Sequence, residues 1–207
     1  MDQEGWLGDT RASYDAVASD YAEWVRDLLD RTPYERAILK AFAEQVDGPV
    51  ADVGCGPGRI TAYLHGLGVD VFGVDLSPAM VEVARRDHPG LRFEVGSMTE
   101  LDLADASLAG LVAWYSLIHV PDDAVATVLA HFRRVLRPGG PLLLGFHVGD
   151  EPRLLTEGFG HPLKLCVHRR THEQLAARLG EAGFTVEAQM TLTSAESTLG
   201  GILVARA

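Results

Sequence analysis

Apolar and polar positions follow two different periods along this chain. Short apolar runs occupy residues 49–53, 69–74, 91–95, 108–114 and 141–147, with two more at 184–190 and 201–206. Runs of this length, bounded by Gly, Pro and Asp, predict buried strands. Between them, stretches at 59–67, 78–87, 123–136 and 172–182 bring an apolar residue back every three or four positions, the helical period. The punctuation agrees with the periods. Ser77-Pro78 offers an N-cap and a proline at the first helical position, Thr171 with Gln174 forms a capping box, and Gly183 is placed to close the last helix as a left-handed cap. Strands alternating with helices in this way predict an α/β fold with a doubly wound sheet.

Two regions stand outside the alternation. In the first 46 residues, Tyr14, Val17, Ala18, Tyr21, Val25 and Leu28 share helical spacing, which predicts an amphipathic helix, a break at Thr32-Pro33 and a second helix to about Val46. Residues 149–170 are polar and rich in Gly, Pro and His, and read as a connection without regular structure. Connections of that length usually act as lids or binding loops, so 149–170 is expected to be a substrate loop. With 207 residues, 47% of them hydrophobic, the expectation is one domain over 1–207, a helical cap (1–46) on an α/β core (47–207). No internal repeat is present.

Charge narrows the partners. The net charge of −11 arises from 29 acids against 18 bases, and the basic runs stop at pairs such as Arg133-Arg134 and Arg169-Arg170. Nucleic-acid affinity needs clustered cations, so no nucleic-acid partner is expected. The chain has no run of about 18 apolar residues, and its start is acidic and polar, which predicts a cytoplasmic protein without a membrane partner. Oligomeric state is not legible. Cys55 and Cys166 are the two cysteines, one of them inside a glycine turn, so neither a structural disulfide nor a CxxC metal site is expected. His147, His161, His168 and His172, with Glu157 and Arg153, do not form a metal set by spacing: His168 and His172 straddle a helix start and no carboxylate completes them.

The densest chemistry lies in Ala51-Asp52-Val53-Gly54-Cys55-Gly56-Pro57-Gly58-Arg59, which joins a strand to a helix through three alternate glycines. Asp75 ends the following strand, 21 residues after Gly54. Glycines let backbone turn sharply against a ligand, and an acid ending the next strand can accept from a ribose diol. A nicotinamide or flavin fingerprint would be spaced G-x-G-x-x-G, and here the third glycine comes one residue early. The segment Asp52 to Gly58 resembles the first motif of the class I S-adenosylmethionine-dependent methyltransferases. The resemblance continues in order through Val69–Asp75, Leu91–Met98, Leu108–Ile118, Leu136-Arg137-Pro138-Gly139-Gly140 and Pro141–Phe146, and so covers about Val50 to Phe146. It implies a three-layer, Rossmann-like sheet of seven strands in the order 3-2-1-4-5-7-6, the seventh antiparallel. It also implies S-adenosyl-L-methionine as cofactor, S-adenosyl-L-homocysteine as product, and methyl transfer to an O, N or C nucleophile of a small-molecule acceptor. Trp114-Tyr115-Ser116 lacks the Asn/Asp-Pro-Pro-aromatic motif of enzymes that methylate base amines in DNA.

The same resemblance assigns roles. Asp52, Gly54, Cys55, Gly56 and Gly58 are expected around the methionine part of the cofactor, and Asp75 on both ribose hydroxyls. Leu76 and Met80 would flank adenine, Met80 being equally readable as core. Gly96, Ser97 and Met98 would face adenine, with Ser97 where the family usually has an acid. Trp114, after the fourth strand where acceptor and methyl group should meet, would touch the cofactor, and Tyr14 and Tyr21 would close over the sulfonium or pack as helix core; Trp24 reads as packing. Tyr115, Ser116, His119, His147, Arg153 and His161 are the acceptor-pocket candidates. Among them His119, with Tyr115, is the catalytic candidate, as an imidazole titrating near neutrality that takes a proton or orients the nucleophile, or as a purely structural histidine. Two other classes stay open: a protein that binds the cofactor without turnover, and a nicotinamide-dependent oxidoreductase.

Overall fold

The computed structural model describes residues 3–193 and 199–207. The chain opens with α1 (Gln3–Val25) and α2 (Pro33–Ala43), joined by a 3-10 turn at Leu29–Arg31. The stripe that begins at Tyr14 in the sequence reading extends back to Trp6 and Thr10, which are also buried, so α1 is longer than its tyrosine half. The break falls at Thr32-Pro33 as expected, because Pro33 occupies a first-turn position where no amide is needed. α2 ends at Ala43, short of Val46.

From there strand and helix alternate: β1 (Val50–Val53), α3 (Arg59–Gly66), β2 (Val71–Asp75), α4 (Pro78–Asp87), β3 (Phe93–Val95) and β4 (Gly110–Trp114). After a 3-10 turn at Leu117–His119 come α5 (Asp122–Val135), β5 (Pro141–His147), β6 (Arg153–Gly158), β7 (His161–Val167), α6 (His172–Glu181), β8 (Thr185–Thr193) and β9 (Leu199–Arg206). Seven strands form one sheet in the order β3-β2-β1-β4-β5-β9-β8. The first five are parallel, and β9 runs antiparallel to both its neighbours. With β6 and β7 set aside as a separate two-stranded ribbon, this is the order 3-2-1-4-5-7-6.

Period-two alternation divides the core between two faces of the sheet. Ala51, Val53, Leu111, Ala113, Leu142 and Leu144 pack with Val125, Val128, Leu129 and Phe132 of α5 and with Leu175 and Leu179 of α6. Val50, Val112 and Leu143 face the other way, against Leu39 and Phe42 of α2 and Ile60 and Leu64 of α3. Most of these side chains are fully buried, each worth about 1.5–3 kcal/mol over an exposed position. The caps are as read from sequence: the Ser77 hydroxyl accepts from the Met80 amide at 3.1 Å, the Thr171–Gln174 box is complete, and Gly183 has φ +84°.

Residues 149–170 depart from the expected irregular connection. They fold as the β6–β7 hairpin, with Gly158 paired to His161 around a two-residue turn at Phe159-Gly160. Both turn residues have positive φ, +54° and +77°, the primed geometry that suits hairpin twist. Its usual Asn-Gly or Asp-Gly signature is replaced by a phenylalanine, which hides the turn from sequence. The hairpin lies on α1: Leu163 and Leu165 pack against Val17, the Lys164 amide donates to the Ser13 hydroxyl at 3.0 Å, and His161 pairs with Asp20 at 3.4 Å. On its other flank α1 meets α4, where Ala18 and Ala22 pack on Met80 and Val83, and where Asp15 accepts from the Ser77 hydroxyl and the Ala79 amide. α1 is thereby held across the carboxyl ends of β1, β2 and β4, where open α/β sheets bind ligands. Among the described residues no helix is long and apolar enough to cross a membrane.

Candidate functional site

Beneath α1 lies a cavity that encloses about 890 Å³ when the solvent in its open mouth is counted. Its floor is the turn after β1. Gly54, with φ +76°, has no room for a side chain, since a Cβ there would lie 2.2 Å from Ser116 Cβ. Gly56 (φ +53°) faces open space, and its missing side chain leaves the cavity clear. Gly58 does not line the cavity. It opens α3 with φ +84° and turns its bare face to Phe93 and His88, so its glycine serves the turn and the packing beneath it. Cys55 borders the cavity, but it packs with Val81, Ala84 and Phe93, and burial pushes its thiol well up from the usual range.

Three ionisable side chains line this floor. Asp52, on β1 between Gly73 and Val112, is fully buried; one oxygen accepts from the Thr61 hydroxyl at 2.7 Å and the other, Oδ1, has no partner. Burial pushes its pKa up to about 7, against the opposing pull of Thr61 and Arg59. Arg59, the first residue of α3, also carries a buried nitrogen, Nη1, without a partner. Asp75 accepts from the Gly56 amide at 2.7 Å through Oδ2 and from the Ser77 amide at 2.8 Å through Oδ1. A carboxylate offers about four lone-pair sites, so Asp75 keeps acceptor capacity for a diol. Burial raises its pKa to about 6, although the Ser77, Gly56 and Leu76 amides favour the ionised form.

Leu76, Met80, Gly96, Ser97, Met98 and Trp114 continue the wall. Met80 is both core and lining, because its fully buried side chain packs under Tyr14 and Tyr21 of α1. The Ser97 hydroxyl accepts from the Thr99 amide at 3.2 Å and lies 2.7 Å from the Thr99 hydroxyl, leaving it little spare capacity. Tyr14 and Tyr21 line the roof in a T-shaped pair, ring centroids 5.8 Å apart.

The remaining candidates separate. His119 lines the cavity, buried, with Nδ1 2.9 Å from the Cys166 carbonyl and Nε2 2.6 Å from the Tyr14 hydroxyl. A carbonyl only accepts, so Nδ1 carries the proton and Nε2 accepts from Tyr14. The expected titration near neutrality is corrected: burial pushes His119 down to about 4, with His147 and His168 adding to the fall and the Cys166 bond opposing it. Tyr115 lines the cavity with φ +53°, but its hydroxyl extends toward β9, where a Cβ on Gly200 would sit 2.5 Å away. The Ser116 hydroxyl is committed to the Val53 carbonyl at 2.6 Å and so holds the β4 loop to the glycine turn rather than facing an acceptor. His147, Arg153 and His161 lie outside the cavity wall. His147 packs on the Tyr115 ring at 5.0 Å, Arg153 is exposed on β6, and His161 is engaged with Asp20, because the hairpin covers α1 instead of entering the cavity. Among the described residues no group of His, Cys, Asp and Glu is arranged to hold a metal ion.

Sequence reading missed Arg59 and the first half of α1, where Trp6, Leu7 and Thr10 line the cavity. Their signals were present: Arg59 directly follows the third glycine, and Trp6, Thr10 and Tyr14 repeat at four-residue spacing. A further device is Arg170, a buried guanidinium that donates to the Leu117 and Val120 carbonyls and to Asp122. With the His168 amide on the Ile118 carbonyl at 2.7 Å, it pins the turn that carries His119.

Comparison with known proteins adds three findings. Residues 50–140 match the family model described as a methyltransferase domain. An O-methyltransferase, cnsE, of Penicillium expansum is 39% identical over 145 residues, 67% of this chain and 50% of that protein; the chain spans about half the length of the curated relatives it matches. Among solved structures, the 1,6-didemethyltoxoflavin-N1-methyltransferase of Burkholderia thailandensis, with bound 1,6-didemethyltoxoflavin and S-adenosylhomocysteine, is 29% identical with a TM-score of 0.68, covering 95% of this chain and 90% of that one. The DhpI complex with S-adenosylhomocysteine covers 97% of both chains at a TM-score of 0.74 and 22% identity, a likeness of fold.

Proposed function

Residues 50–140 belong to the methyltransferase-domain family, on a chain with the class I S-adenosylmethionine-dependent methyltransferase fold, and from this premise we propose that the protein transfers a methyl group from S-adenosylmethionine to a small-molecule acceptor. The observation that carries the reading is the set of unused polar groups in one cavity. Asp52 Oδ1 and Arg59 Nη1 are buried orphans of opposite sign, and Asp75 keeps acceptor capacity beyond its backbone amides. Buried polar groups in native proteins are paired, so such orphans call for a ligand. The complement of these three is a ligand with an ammonium, a carboxylate and a vicinal diol.

Asp52 Oδ1 holds the ammonium, Arg59 Nη1 the carboxylate, and Asp75 the ribose hydroxyls, while Leu76, Met80 and Met98 offer apolar surface to the adenine. When bound, S-adenosylmethionine supplies a methyl carbon made electrophilic by its sulfonium. The chain's own contribution is alignment and exclusion of water, with α1 laid over the cavity and Tyr14, Tyr21 and Trp6 as its cover. An oxygen nucleophile is favoured by the O-methyltransferase relative and by the Tyr14–His119 pair, which can manage a hydroxyl proton.

Calorimetric titration with S-adenosylmethionine, S-adenosylhomocysteine and NAD tests this. The first two should bind and NAD should not. Arg59→Ala should weaken binding by about 10–100-fold, the worth of a charge-assisted bond. NAD binding alone, or no binding by any of the three, refutes the function. Binding with no methylated product across an acceptor screen would favour a cofactor-binding protein without turnover.

A further inference from the structure

Among the described residues the fixed charges of the cavity wall are Asp52, Arg59 and Asp75, from the ends of β1 and β2 and the start of α3. The first half of α1 and the Leu117–Val120 segment contribute Trp6, Leu7, Thr10, Tyr14, His119 and Val120 to the wall. None of these carries a carboxylate, ammonium or guanidinium. An anionic acceptor would give up its water there without a protein cation in exchange, a cost of several kcal/mol for a buried ion.

Among the described residues of that wall, Tyr14 and His119 form a hydrogen-bonded pair with protons to exchange. The Cys166 carbonyl fixes the proton on Nδ1, the lone pair of Nε2 takes the Tyr14 proton at 2.6 Å, and the Tyr14 oxygen is left with its own lone pairs as acceptors. We propose that the acceptor subsite takes an uncharged, largely apolar molecule that presents one hydroxyl to Tyr14 Oη, and that the proton of this hydroxyl leaves through Tyr14 to Nε2 of His119. The inference rests on the methyltransferase reading above and names the acceptor class for that site.

The proton balance closes. As the acceptor oxygen uses a lone pair to bond carbon, its O–H bond breaks and the proton passes to Tyr14 Oη, while the proton already on Tyr14 passes to Nε2. Tyr14 ends as the neutral phenol it was, and His119 ends as an imidazolium with a proton on each nitrogen. The positive charge that the displacement removes from sulfur reappears on the ring, so the buried site carries the same net charge before and after. The groups facing this ring are Tyr14 from α1, the Cys166 carbonyl from β7, His147 from β5 and His168, with Asp75 and Tyr21 beside Tyr14. Burial keeps His119 neutral down to about pH 4, with His147 and His168 adding to the effect and the Cys166 bond opposing it, and burial, aided by Tyr21 and Asp75, holds the Tyr14 phenol well above its ordinary range. A ring of such low basicity is sufficient, because an oxygen that is gaining a methyl while still holding its proton becomes strongly acidic. Tyr14 is the catalytic residue in this scheme and His119 the positioning residue that receives the proton behind it.

The test loads the protein with sinefungin, an S-adenosylmethionine analogue whose amine keeps a positive charge and so gives an anion every advantage. Three probes of one shape are then titrated at about pH 7.5: 2-naphthol, 2-methoxynaphthalene and 2-naphthoate. The expected result is 2-naphthol bound about tenfold or more tightly than either of the others, an advantage lost in Tyr14→Phe. In protein labelled with ¹⁵N-histidine, His119 should show the Nδ1–H tautomer and titrate near 4. Equal or tighter binding of 2-naphthoate, no binding of 2-naphthol, an advantage that survives Tyr14→Phe, or a proton on Nε2 would each overturn the proposal. The wild-type comparison and the labelled histidine decide the matter even if the variant does not fold. Failure of sinefungin itself to bind removes the methyltransferase reading, a different outcome from the probe results.

Discussion

Replacing Asp52 by asparagine removes a charge that Thr61 and Arg59 compensate only in part. The carboxyl rises from an ordinary 3.8 to about 7 in the folded state, which corresponds to about 4 kcal/mol between the two protonation states. The folded state therefore holds this proton more tightly than the unfolded chain. The contribution of Asp52 to stability is fully present below pH 3.8 and is lost as pH rises through about 7. The substituted side chain would be neutral throughout and could still accept from the Thr61 hydroxyl, but its amide would lack a partner, at a cost of about 1–3 kcal/mol. The net expectation is an Asp52→Asn variant more stable than wild type by about 1–3 kcal/mol at pH 8, or about 3–10 °C in Tm for a chain of this length. The difference should vanish or reverse near pH 4.5. Thermal unfolding followed by circular dichroism at both pH values measures it. S-adenosylhomocysteine supplies the counter-charge, so the ligand should raise the Tm of wild type at pH 8 and raise that of the variant much less. A variant destabilised by the same amount at both pH values would refute the claim that Asp52 is an incompletely compensated buried acid.

The cofactor side should titrate with the same groups. Affinity for S-adenosylhomocysteine is expected to rise between pH 5 and 8 as Asp75 and Asp52 ionise near 6 and 7, by at most about tenfold per pH unit for each group, with proton release visible in buffers of different ionisation enthalpy. A flat Kd over that range contradicts the assignment. Gly54→Ala should lose about 3 kcal/mol from positive φ and the clash with Ser116, whereas Gly56→Ala should lose about 1 kcal/mol yet bind S-adenosylhomocysteine poorly, since its methyl enters the cavity. Similar melting temperatures for the two would count against this contrast. Arg170→Met leaves the buried Val120 carbonyl without its donor and the Leu117 carbonyl with the Val120 amide alone, and should cost about 1–3 kcal/mol, seen as a fall in Tm of about 2–12 °C. An unchanged Tm would mean that the His119 turn is held without it.

Local rules determined much of this molecule, and they are legible in one sequence because they act between near neighbours. A positive φ asks for glycine at Gly54, Gly56 and Gly58, a helix start asks for Ser77-Pro78, and strand periodicity sorts side chains to the two faces of the sheet. These brought the sheet, the glycine turn and Asp75 within reach before any coordinates. The tertiary structure decided what depends on residues far apart. Tyr14 meets His119 across 105 positions because α1 lies over the sheet edge, and burial, with His147 and His168 adding to it, moves the imidazole to about 4. The Phe159-Gly160 hairpin, unmarked by the usual turn residues, carries Arg153 and His161 away from the cavity and onto the outside of α1. Arg59 becomes part of the site because one nitrogen of its guanidinium, Nη1, ends buried without a partner beside the glycine turn. Desolvation and partner choice are sums over the whole fold, and no window of sequence contains them.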